Sequence, residues 1–199
     1  MRRRTFDVLV SAGGLFLVVV LAVAGGLLTW GHNYIGNEVH DQLAAQKIFF
    51  PPKGSPAIAA PEFKALQQYA GQQLTTGAQA EVYADHFIAN HLRTIGGGQT
   101  YAQLSTRAQV QPNNAQLQAT VNTMFKGETL RGLLLNAYAF GTIGDIAGYA
   151  ALAAFGAAGV LLVLSGFGLY HSRRVPMTKA ILGTLIGDGQ PKQRETVFN

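Results

Sequence analysis

Glu81, Asp85, His86, Asn90 and His91, in the stretch EVYADHFIANH, are the densest group of metal-ligating and acid–base side chains in the sequence. A helix binds zinc through two histidines one turn apart, at i and i+4, so that both rings reach one ion. His86 and His91 are five apart and diverge by about 140° around a helix of 3.6 residues per turn. Glu81 and Asp85 share a face, but two carboxylates alone form a poor ligand set, so the four residues Glu81, Asp85, His86 and His91 are weak metal candidates. His91 falls on an apolar stripe and is expected to be a hydrogen-bonded core histidine. His32 and His40 lie eight residues apart, which brings them only approximately to one face for a haem or quinone. There is no GxSxG elbow for a nucleophilic serine. The glycine run GGGQTY follows a helix pattern and lacks the lysine of a phosphate loop, so it reads as a helix stop. The sequence therefore predicts no catalytic residue, no resident cofactor and no enzyme.

The elements around these residues point to a membrane. The 199 residues contain no cysteine, are 48% hydrophobic and only 13% charged. Without cysteine there are no disulfides and no thiolate metal ligands. Residues 8–30 and 146–170 carry no charge and exceed the roughly 20 residues that a helix needs to cross about 30 Å of hydrocarbon. Both are expected to be transmembrane helices. The first is expected to stay as an uncleaved anchor, since its apolar run is too long for the core of a typical signal peptide.

Charge sets the expected orientation. Arg2, Arg3, Arg4, Arg173, Arg174, Lys179, Lys192 and Arg194 against Asp7, Asp188 and Glu195 place the whole formal net charge of +5 in the tails 1–7 and 171–199. The intervening residues cancel. By the positive-inside tendency both tails are cytoplasmic and 31–145 is extracytoplasmic, in the plasma membrane. Anionic lipid heads account for the basic balance, so no nucleic-acid partner is implied.

Within 31–145 the periodicity is helical throughout. Ile35, Val39, Leu43 and Ile48 continue the first helix outward toward Phe49-Phe50 and the stop at Pro51-Pro52. Residues 51–61, with four prolines, read as an extended connector. Pro61 and Glu62 open a helix bearing Phe63, Leu66 and Ala70. A second runs through Tyr83, Phe87, Ile88 and Leu92 to Gly96, with Glu81 and Asp85 facing away. A shorter one is expected around 101–110, and Asn114 caps another carrying Leu117, Val121 and Met124. The fold class is all-α, with two transmembrane helices flanking an extracytoplasmic helical bundle.

The apolar run from Leu133 to Tyr170 is too long for one span, so Gly141 and Gly144 are expected to bend the chain before the second span. Asp145 then sits at the outer interface, where a carboxylate stays hydrated. It and Arg131 are the interfacial polar residues and a possible pair. Gly144 and Gly148 have GxxxG spacing, and with Ala151, Ala154 and Ala158 they form a small-residue ridge for helix packing, against the first span or against another subunit.

YAGQQLTTGAQAEVYADHFIANHLRTIGGGQTYAQLS and KGETLRGLLLNAYAFGTIGDIAGYAALAAF resemble a family of uncharacterised actinobacterial two-span membrane proteins, often labelled aromatic ring-opening dioxygenases. The resemblance implies a membrane location. The dioxygenase label implies an iron site of histidines and glutamate, which no residues here match. A non-catalytic accessory or assembly subunit of a larger membrane complex, for instance a respiratory one, is the expected function, with the lipid bilayer and other membrane subunits as partners. The alternative is an extracytoplasmic ligand sensor, which would signal through a partner because 171–199 is too short for an output domain. A metal- or haem-binding membrane protein comes third.

Overall fold

The computed structural model describes residues 3–174. Arg2, Lys179, Lys192, Arg194, Asp188 and Glu195, and with them most of the tail 171–199, lie outside the described residues. The described residues are helical, with one isolated antiparallel bridge between Phe49 and Gln73. They comprise α1 (Arg3–Ala45), α2 (Gly77–Val82), α3 (Ala89–Ile95), α4 (Tyr101–Val110) and α5 (Ala115–Arg174), with 3₁₀ helices at Pro56–Ile58 and Pro61–Tyr69 and a π-helix at Tyr83–Ile88. Two compact units result. One joins the described residues up to Leu27 to those from Ala150, and the other is Leu28–Tyr149.

In the first unit the two helix segments meet through small side chains. Ser11 sits over Gly168 and Ser165 over Gly14, so that a Cβ on either glycine would collide with the opposing hydroxyl. Both helices thus use Ser-x-x-Gly, read in opposite directions, and Ser11 and Ser165 are buried. Gly25 faces the ring of Phe155, where a Cβ would come within 2.9 Å. Most large apolar side chains of this unit are exposed, among them Phe16, Val19, Val23, Leu162 and Phe167.

The Leu28–Tyr149 unit holds the apolar core. α1 ends at Ala45, short of the expected Phe49-Phe50, because Lys47 turns left-handed at φ 53°. A residue that precedes proline is driven out of the α region, so Phe50 before Pro51 is extended. Its N–H donates to the Gln72 carbonyl at 2.9 Å. The connector is also more structured than its prolines suggest: Ser55 Oγ accepts the Ala57 N–H and starts a 3₁₀ turn. Residues 61–69 wind as a 3₁₀ helix where an α-helix was expected. Capping boxes start α2, where Thr76 and Gln79 satisfy each other's backbone N–H groups, and α4, where Thr100 and Gln103 do the same. Asn114 Oδ1 accepts the Leu117 N–H at the head of α5.

α5 is assigned as helix without a break over 60 residues. Gly141 and Gly144, where a bend was expected, lie at points of close approach. A Cβ on Gly141 would lie 3.3 Å from Gly77 Cα, and one on Gly144 would lie 3.2 Å from Ile35 Cγ2. Gly127 similarly admits the Leu92 side chain.

Candidate functional site

Residues 34–45 of α1, with Gln46 just past its end, run beside 130–143 of α5, and between them lies a groove of about 450 Å³. Its position follows from the packing at either side. Toward Gly148 the helices are in contact: His32 Nδ1–H donates to the Gly144 carbonyl at 2.8 Å, and a Cβ on Gly148 would lie 3.0 Å from that ring nitrogen. Along the core, Leu43 and Leu134 are buried together with Val39. Ile35, Val39, Leu43, Leu134 and Ala137 make an apolar floor, and Leu133, Phe140 and Ile143 leave an exposed apolar rim. Glu38, Gln42 and Gln46 line the α1 side at successive helix turns, with Asn136 across from them. Gln42 donates to Glu38 Oε1 at 2.6 Å, and Glu38 is the sole charged residue of the lining.

A second polar feature links the π-helix to α5. Arg131 Nη2 lies 2.7 Å from Asp85 Oδ1, and its Nη1 lies 3.5 Å from Glu128. Its pKa is pushed up, first by the hydrogen bond to Asp85. Asp85 was expected to face away from the apolar stripe. The wider i→i+5 turn of Tyr83–Ile88 changes the angle between residues before and after it, which brings Asp85 round to α5. Spaced four residues apart, Tyr83, Phe87 and His91 share a face, and their rings succeed one another at 4.8 and 4.4 Å, with Phe50 edge-on to Tyr83 and Phe63 beside Phe87 and His91.

Burial of the Tyr83 phenol raises its pKa above the ordinary 10.0. A raised folded pKa gives stability that is complete below the unfolded value and is lost as pH climbs through the folded one. Tyr83→Phe is expected to leave stability at neutral pH within about 0.5 kcal/mol of wild type. It is also expected to flatten the decline above pH 10.0, as read from denaturant unfolding across that range.

The remaining expected site residues are dispersed. Asp85 is engaged by Arg131, Glu81 and His86 are half-buried, and His91 is exposed, resting on Phe87 and Phe63 with Nδ1 2.7 Å from the Phe87 carbonyl; it is not in the core. Among the described residues no three histidine or acidic side chains converge on one point. His32 turns toward α5 while His40 is exposed. Arg131 and Asp145 do not pair: Arg131 faces Asp85 and Glu128, and Asp145 is exposed on α5. Gly144 and Gly148 face α1 of the same chain, Ala151 and Ala158 are buried, and Ala154 is half-buried. Sequence reasoning had Ile35, Val39 and Leu43 on one helical stripe, but not the groove they line with α5. The signal it missed is the polar row Glu38, Gln42, Gln46 beside that stripe. Compared with protein-family models, with curated proteins and with solved structures, the chain matches none.

Proposed function

We propose that the protein is anchored in the plasma membrane by two spans, residues 8–30 and 146–170. Both tails are cytoplasmic and 31–145 lies outside, where it acts as a non-catalytic accessory or assembly subunit of a larger membrane complex. Two helices are long and apolar enough to cross a bilayer, and only 11% and 17% of their most apolar windows are buried, unlike the core helices of a water-soluble domain. Trp30 and Tyr34 stack at 5.6 Å and are exposed, as is Tyr149, which suits amphipathic rings at the outer interface. The subunit role rests on one observation. The Leu28–Tyr149 unit, most of which lies outside the lipid on this reading, exposes Phe49, Ile95, Val110 and Phe125 away from the groove. Such side chains suit a surface that another protein covers. Purification of the tagged full chain in mild detergent, followed by mass spectrometry, is expected to recover a second membrane protein in stoichiometric amount. A clean monomer overturns the reading.

The groove favours the sensor as the second reading, since 450 Å³ lies within the roughly 300–1,000 Å³ of small-molecule sites. A water-soluble effector that raises the unfolding temperature of the full chain would decide for it.

A further inference from the structure

We propose that the groove between α1 and α5 holds the hydrocarbon chain of a membrane amphiphile whose head is uncharged and bears hydroxyl or amide groups. The inference goes beyond the subunit role and shares with it only the membrane location.

Dimensions come first. The groove, about 450 Å³, is elongated beside residues 34–46, about 18 Å of chain at 1.5 Å per residue. An extended alkyl chain fits along it.

Chemistry agrees with size. The floor and rim are aliphatic and aromatic, which suits an alkyl chain that asks for no hydrogen bonds. The polar side offers the carboxamides of Gln42, Gln46 and Asn136, each a donor and an acceptor. Glu38 is the only ionisable side chain of the lining besides the Tyr34 phenol, and no lysine or arginine lines it, so a carboxylate or phosphate head meets like charge without a counter-ion. Continuity also points to lipid. At the Tyr34 and Ile143 end the apolar rim passes into exposed Trp30, Ile146 and Tyr149, of which the two rings are assigned above to the outer interface. A chain drawn from the outer leaflet would enter there without crossing a polar surface.

The test uses the full chain in phosphatidylcholine nanodiscs, with a photoactivatable long-chain alcohol and the matching carboxylic acid, and labelled peptides are mapped by mass spectrometry. Peptides from 34–46 and 130–143 are expected to take up the alcohol at least fivefold more than the peptide around Phe125, and more than they take up the acid. Leu133→Asp and Phe140→Asp replace exposed groove residues and should fold normally; each is expected to cut groove labelling at least fivefold while the spans label as before. Glu38→Gln is expected to bring the acid up toward the alcohol. Groove labelling no greater than that around Phe125, or labelling that both aspartate variants leave unchanged, overturns the proposal. So does a copurified polypeptide cross-linked to 34–46 and 130–143 in place of the probe. Absence of label from 8–30 and 146–170 would instead sink the membrane location itself.

Discussion

Gly14→Ser is expected to lower the unfolding midpoint of the detergent-solubilised protein by about 2–12 °C, and adding Ser165→Gly is expected to restore most of the loss. Ser165 already occupies the space that a Gly14 side chain would need. The exchange keeps one hydroxymethyl group at the crossing and moves it to the other helix. Overpacking of this kind costs about 1–3 kcal/mol, and for a chain of this length each kcal/mol moves the midpoint by about 2–4 °C. In lipid the effect is less diluted than in water, because apolar side chains gain nothing by leaving hydrocarbon for each other and association depends on close packing. Gly13→Ser supplies the control: no atom lies within 4 Å of where its Cβ would be. Gly168 and Ser11 repeat the arrangement and should respond in the same way. If Gly14→Ser and Gly13→Ser are equally harmless, the two segments do not cross at the Ser-x-x-Gly pairs.

This contact shows how far sequence reasoning reached. The small residues of both apolar helices were legible as a packing feature, but Gly13 and Gly14, or Gly25 and Gly26, look alike until the facing helix selects Gly14 and Gly25. α5 shows the same limit. Gly141 and Gly144 were read as a bend because the apolar run is too long for one span, and Gly144 also as a packing residue with Gly148, since a hinge and a close approach demand the same residue. Gly77, Ile35 and His32, distant in sequence, settle the matter in favour of close approach. Helix starts were more legible where the cap is local: Asn114 was read as a cap, and its Oδ1 accepts the Leu117 N–H. The helix expected around 101–110 is found at Tyr101–Val110.

The π-helix at Tyr83–Ile88 could not be read in this way. Its sequence has an ordinary α-helical stripe, and its wider turn is matched by tertiary contacts, the Arg131–Asp85 pair and the ring series from Phe50 to His91. Of the acidic pair Glu81 and Asp85, Asp85 is engaged by Arg131 of α5. The groove was half legible. Each wall carries its own apolar stripe, but which stripe meets which depends on the register that Gly144 and Gly148 fix against Ile35 and His32.

Leu66→Ala is expected to cost about 2–5 kcal/mol, enough to unfold much of a marginal domain, whereas Leu133→Ala should cost no more than about 0.5 kcal/mol. Leu66 is 0% exposed and Leu133 is 59% exposed. The larger effect falls in the segment that looks least structured in the sequence, the proline-rich stretch and 3₁₀ helix between α1 and α2. Phe50, Ile58, Leu66 and Leu74 recur there every eight residues, and with Met124 they are the largest fully buried side chains among the described residues. With only two short 3₁₀ helices, the segment has little cooperative backbone hydrogen bonding of its own, so these four anchors must offset the entropy of ordering it. Truncating one leaves a cavity whose surroundings are tied to α1, the π-helix and α5 and collapse only partly. Denaturant titration of Leu66→Ala, Leu74→Ala and Leu133→Ala separates the cases. Equal midpoints for Leu66→Ala and Leu133→Ala would show that the stretch is a loose connector after all, and that α1 and α5 hold the Leu28–Tyr149 unit together without it.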